Sequence, residues 1–94
     1  MFKELDPLLH SQLRLGVMSL LMSMESAEFG FLKEKTNATA GNLSAQLDKL
    51  SEAGYITIEK SFKGKYPLTT CMITKKGLKA FEEYVNTLKQ YIHK

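Results

Sequence analysis

Ninety-four residues, 44% apolar and 24% charged, provide one modest core and exclude a second. The single cysteine, Cys71, excludes an internal disulfide and a cysteine-built metal site, and it fits a reducing cytoplasm. The net charge of +3 is a mild basic bias that identifies no partner by itself.

The opening MFKELDPLL has no basic stretch followed by an apolar core and a small-residue cleavage site, so it is not read as a secretory leader. Asp6-Pro7 reads as a helix start, with Asp as N-cap and Pro in the first turn, and the helix is expected to run to about Met24. Its Leu, Val and Met residues cover almost the whole circumference, which calls for burial on more than one side. A domain this small offers one such side from its own core, and a second subunit is the expected cover for the other. Arg14, Gly16, Ser19 and Ser23 interrupt the apolar run, and it is too short for a membrane span. Residues 1–32 carry Lys3 and Arg14 against Glu4, Asp6, Glu25 and Glu28, a net of −2.

Ser26 is placed as the cap of a short helix from about Ala27 to Lys35, with Phe29 and Leu32 facing inward. Thr36-Asn37-Ala38 reads as a turn. Thr39 is the expected N-cap of a third helix, Ala40 to Ala53, in which Leu43, Leu47 and Leu50 share one face. Gly54 suits the left-handed position that ends helices. Residues 33–54 are neutral overall, with Lys33, Lys35 and Lys49 balanced by Glu34, Asp48 and Glu52.

Residues 55–59 alternate, predicting a strand with Ile56 and Ile58 buried. Residues 61–67 read as a hairpin loop with Gly64 at the tip, and residues 69–73 as the return strand. Thr74 is a good N-cap for a last helix from about Lys75 to Ile92. The basic charge gathers here: Lys60, Lys63 and Lys65 oppose Glu59, and five lysines after residue 70 oppose Glu82 and Glu83. Two short helices joined by a tight turn make a helix-turn-helix, and a hairpin directly after them makes a wing.

The ordered set Asn42-Leu43-Ser44, Leu47, Leu50, Glu52-Ala53-Gly54-Tyr55, the lysines from 60 to 65, and Ile73-Thr74-Lys75-Lys76-Gly77 resembles the small winged-helix transcriptional regulators related to the MarR type. The resemblance covers about residues 27–85, and the first helix more loosely. Ala45 and Gln46 stand where many of those regulators carry His or Arg. The resemblance implies a mainly α fold with a small β-hairpin, a winged helix-turn-helix with flanking N- and C-terminal dimerisation helices, forming one domain over residues 1–94.

With the leucines inward, Gly41, Asn42, Ala45, Asp48, Lys49 and Glu52 fall on the outer face of the third helix, flanked by Ser44 and Gln46. A solvated helix face behind an N-cap is the plain explanation. The alternative is a recognition helix at about 40–53, whose first residues reach base edges in a major groove. Thr39, Gly41, Asn42, Ser44 and Ala45 permit close approach, and Ala45 suits a thymine methyl. Asn42 and Gln46 suit adenine, Ser44 suits a base edge or a phosphate, and Lys49 suits a phosphate. The wing, about 56–73, offers Lys60, Lys63 and Lys65 around Gly64, with Tyr66 beside them, for backbone or minor-groove contact. Lysines that merely guard an edge strand are the alternative there.

Leu9, Leu13, Val17 and Leu20 of the first helix and Tyr84, Leu88, Tyr91 and Ile92 of the last are expected to pair two subunits. His10 and His93 are too far apart in sequence, and too few, for a metal site, and no cofactor is expected. Cys71 is read as a buried structural thiol. Adjacent Glu82 and Glu83 diverge on a helix, and neither a phosphate loop nor a nucleophile elbow is present, so the chain is not expected to be an enzyme. The expected function is sequence-specific binding of double-stranded DNA at a palindromic operator, by a cytoplasmic homodimer acting as a repressor. Its half-sites are expected about one helical turn apart. A protein–protein adaptor built on the same fold is the alternative, and a regulator holding a small apolar effector at the dimer seam is a third reading.

Overall fold

The computed structural model describes residues 2–92. The element order is α1 (Gln12–Met22), β1 (Ala27–Glu28), α2 (Phe29–Thr36), α3 (Ala40–Glu52), β2 (Ile56–Lys63), β3 (Tyr66–Ile73) and α4 (Lys75–Ile92). The strands form one antiparallel sheet in the order β1-β3-β2. No helix among the described residues is long and apolar enough to cross a membrane.

The first helix starts later than the Asp6-Pro7 signal implied. Asp6 caps a separate turn: its Oδ1 accepts from the Leu8 amide at 3.0 Å, and its carbonyl accepts from Leu9 and His10. That turn drops Leu9 into the core, and α1 begins after Ser11. The all-round apolarity of α1 has an intramolecular cause. The helix is central and touches α2, α3, β3 and α4, so Val17, Met18 and Leu21 are fully buried within the single chain.

Ala27 lies in a strand and not in the second helix. Ala27 pairs with Cys71 and Glu28 with Thr70, and α2 follows at Phe29. Asn37 closes α2 in the left-handed conformation (φ 57°), which makes the turn into α3. The Thr39 Oγ1 accepts from the Asn42 amide at 3.2 Å, as the N-cap expectation required. At the other end of α3, Gly54 takes a φ of +81°. The Gly54 amide donates to Ser51 and the Tyr55 amide to Leu50, the Schellman pattern.

The hairpin is longer and its turn tighter than the sequence suggested. Ladder pairing runs from Ile56–Ile73 to Lys63–Tyr66, which leaves only Gly64 and Lys65 as turn. Gly64 has a φ of +65°, suited to the first central position of a two-residue hairpin turn. Thr74 caps α4 by accepting from the Gly77 amide at 3.0 Å, and its hydroxyl donates to the Gly54 carbonyl at 2.6 Å. The junction of α3 with β2 is thereby tied to the start of α4. Leu32, Leu43, Leu47, Leu50, Ile56 and Cys71 complete the core around α1.

Candidate nucleic-acid interface

The three leucines of α3 are at most 2% exposed, and Thr39, Gly41, Asn42, Ser44, Ala45, Asp48, Lys49 and Glu52 are all exposed. The helix thus presents small and polar groups at its N-terminal half and mixed charges further on. Gln46 differs from the other predicted contacts. It is half-buried: its Oε1 accepts from Arg14 Nη1, and its Nε2 donates to Asn42 Oδ1 at 3.2 Å. It therefore ties α3 to α1 and is not a free reader of bases.

The hairpin stands beside this face. Ser44, Leu47 and Asp48 of α3 line a cleft with Ile58, Lys60 and Thr69 of the hairpin and Phe29 of α2. Lys60, Lys63, Lys65 and Tyr66 are all exposed. Alternation along β2 puts Lys60 on the side of the sheet that carries Ile58, toward α3, and Lys63 on the opposite side with its partner Tyr66. The predicted DNA-facing groups therefore form two clusters, one around the α3 N-terminus and one spread over both sides of the hairpin.

Sequence reasoning missed two features. Arg14, the chain's single arginine, reaches α3 from α1 and anchors its Nε on the Leu8 carbonyl at 2.6 Å. A lone arginine within an apolar helix was its available signal. Phe62 is the other, 75% exposed beside the lysines, where the tight turn keeps it in strand geometry away from the core.

The predicted subunit seam needs correction. Leu9 and Val17 are 0% exposed and Tyr84 is 4% exposed, so the chain's own core takes all three. Tyr84 is further fixed by a 3.0 Å hydrogen bond between its hydroxyl and His10 Nδ1. Leu13, Leu20 and Leu88 are half-buried, and Tyr91 and Ile92 are exposed. Tyr91 stacks on Phe2 at 4.5 Å and donates to the Lys3 carbonyl, so the N-terminal segment lies along the end of α4.

Cys71 is buried, and burial pushes its thiol up to about 11. That agrees with a structural thiol and opposes a reactive one. No group of three or more His, Cys, Asp or Glu side chains is placed to hold a metal among the described residues; His93 lies outside them.

A helix-turn-helix followed by a projecting, lysine-bearing hairpin, which the preceding β1 extends to a three-stranded sheet, defines the winged-helix class of DNA-binding domains. The chain belongs to the winged helix DNA-binding domain family, whose model matches residues 13–92. It is 42% identical over 82 residues to an uncharacterized protein of Methanocaldococcus jannaschii, covering 86% of this chain and 88% of that one. It is similar in structure to a transcriptional regulator homologue from Pyrococcus horikoshii OT3, with a TM-score of 0.84 and 27% identity over 90% of this chain and 84% of the other. A MarR family transcriptional regulator from Silicibacter pomeroyi shares the fold at a TM-score of 0.69 and 20% identity, over 84% of this chain and 51% of that one. The winged-helix reading of the motifs is thereby borne out, and the chain is a winged-helix DNA-binding domain.

Proposed function

We propose that this chain is a transcriptional regulator that binds double-stranded DNA sequence-specifically, as a homodimer on a palindromic operator, and represses transcription there. One observation carries the reading: the exposed face of α3 is small and polar in its first two turns and lies next to a lysine-bearing hairpin. In this reading α3 enters a major groove. Thr39, Gly41, Asn42, Ser44 and Ala45 lie nearest the base edges, and Lys49 reaches a phosphate. Lys60, Lys63, Lys65 and Tyr66 follow the backbone from the hairpin. No bond is made or broken. Repression follows from occupancy of the operator, and two-fold symmetry spaces the half-sites about one helical turn apart. Leu13, Leu20, Leu88, Tyr91 and Ile92 supply the subunit seam, since they keep apolar surface outside the core.

Fluorescence anisotropy of labelled duplexes from upstream regions of the source genome, at two salt concentrations, tests the reading. Tight binding to a few sequences, weakened steeply as salt rises, is the expected result. The exposed Phe62 and Tyr66, 75% and 78% accessible, favour a second reading in which the hairpin docks on a protein. No duplex binding at low salt would select it.

A further inference from the structure

We propose that Arg14 is a positioning residue for sequence readout: acting through Gln46, it holds Asn42 with its amide hydrogens outward and so directs α3 toward guanine. The inference rests on the reading that α3 enters a major groove. Its basis is the polarity of one chain of hydrogen bonds. Arg14 is anchored by its Nε on the Leu8 carbonyl, and its Nη1 faces the Gln46 side chain. A guanidinium has donors and no acceptor, so the atom of Gln46 that meets it must be the oxygen. The nitrogen of Gln46 is then turned to Asn42, one helical turn earlier, and donates to Asn42 Oδ1 at 3.2 Å. An amide whose oxygen is engaged on one side has its two N–H groups left for the other. The backbone amide of Asn42 is held by Thr39, so the residue is fixed at main chain and side chain together.

The consequence is a choice between bases. In the major groove guanine shows two acceptors, whereas adenine shows one acceptor and one donor. An asparagine free to rotate suits adenine, offering one donor and one acceptor. An asparagine locked with its hydrogens outward suits guanine. Arg14 touches no DNA in this arrangement; it sets the orientation of a group two residues removed in the chain of contacts.

The test is selection from a randomised duplex pool by the wild type and by Asn42→Ala, Arg14→Met and Gln46→Glu, with thermal melts on each. Loss of preference in Asn42→Ala locates the base pair that Asn42 reads. Gln46→Glu keeps an acceptor for Arg14, and hence the tie between α1 and α3, but cannot donate to Asn42. It serves if Arg14→Met fails to fold. The expected result is guanine over adenine by at least about fivefold at that pair in the wild type. That preference is lost or inverted in Arg14→Met and Gln46→Glu, with other positions unchanged. Uniform weakening with the same preference at every position would overturn the proposal and leave DNA recognition standing, as would adenine preferred by the wild type. A wild type that selects no duplex at all would overturn both together.

Discussion

Gly77 sits three residues beyond Thr74 and has no room for a side chain. A Cβ there would lie 2.0 Å from the Tyr55 carbonyl oxygen, so α4 meets the turn between α3 and β2 with backbone against backbone. The obstacle is main chain and cannot rotate away. Gly77→Ala should therefore cost at least about 2 kcal/mol of unfolding free energy in urea titrations. Tyr55 meets a second constraint at the same junction. Its hydroxyl donates to Asp6 Oδ2 at 2.6 Å, and Lys76 lies over its ring. Burial, then Asp6, then Glu83 push the phenol up to about 12 from its ordinary value near 10. Below pH 10 both folded and unfolded chains hold the proton, and the stabilisation is complete. As pH rises from 10 toward 12, the unfolded chain loses it first and stability falls. Thermal melts from pH 8 to 12 should show this loss, with a shallower decline above pH 10 in Tyr55→Phe. Cys71, raised to about 11, adds an earlier decline in both proteins. The roles of Gly54 and Thr74 were legible in the sequence because caps and helix stops are local, and Gly77 entered only through the family resemblance. The reason for Gly77 was not legible, since the atom it avoids is 22 residues away.

Helices with a strong stripe and a cap were read almost to the residue: α3 and α4 begin and end within one residue of their expected limits. The misreadings have physical causes. Asp6-Pro7 signals a turn as well as a helix start, and the hydrogen bonds of Asp6 close the turn. β1 is two residues long, too short for any period, and exists only because β3 has a free edge beside it. The hairpin was placed correctly, but its distal strands alternate lysine, aromatic and proline without a buried face, so they read as loop. Its lysines support a prediction for the ribbon as a unit. Removing Lys63 and Lys65 together by Ala substitution should weaken binding about equally on all duplexes and lower the salt slope by about two units in anisotropy titrations. An unchanged slope would place the hairpin off the DNA.

The protein is elongated, 54 × 25 × 21 Å. Its apolar surface outside the core includes Leu88, Tyr91 and Ile92 on the last turns of α4. If these turns pair two copies, Ile92→Asp, at a position 65% exposed, should convert a sedimenting dimer to monomer at micromolar concentration while leaving the thermal melt of the fold nearly unchanged. A wild type that already sediments as a monomer would remove the palindrome from the proposed function. This part of the prediction was the least legible in sequence. Apolar residues wanted by a core and those wanted by a partner look alike, and Leu9, Val17 and Tyr84 proved to belong to the core.

β1 grips β3 only at Thr70 and Cys71, so the four outer ladder pairs, from Lys60–Thr69 to Lys63–Tyr66, form a bare two-stranded ribbon. Such a ribbon is marginally stable alone in water. Its stiffness is therefore a quantity that selection or an engineer can adjust separately from its contacts. A better cross-strand pair at Ser61–Leu68 would reduce the disorder surrendered on binding and tighten the complex without altering a DNA-facing atom. A looser pair would weaken it in the same way, making the ribbon a dial for affinity in which recognition is left untouched.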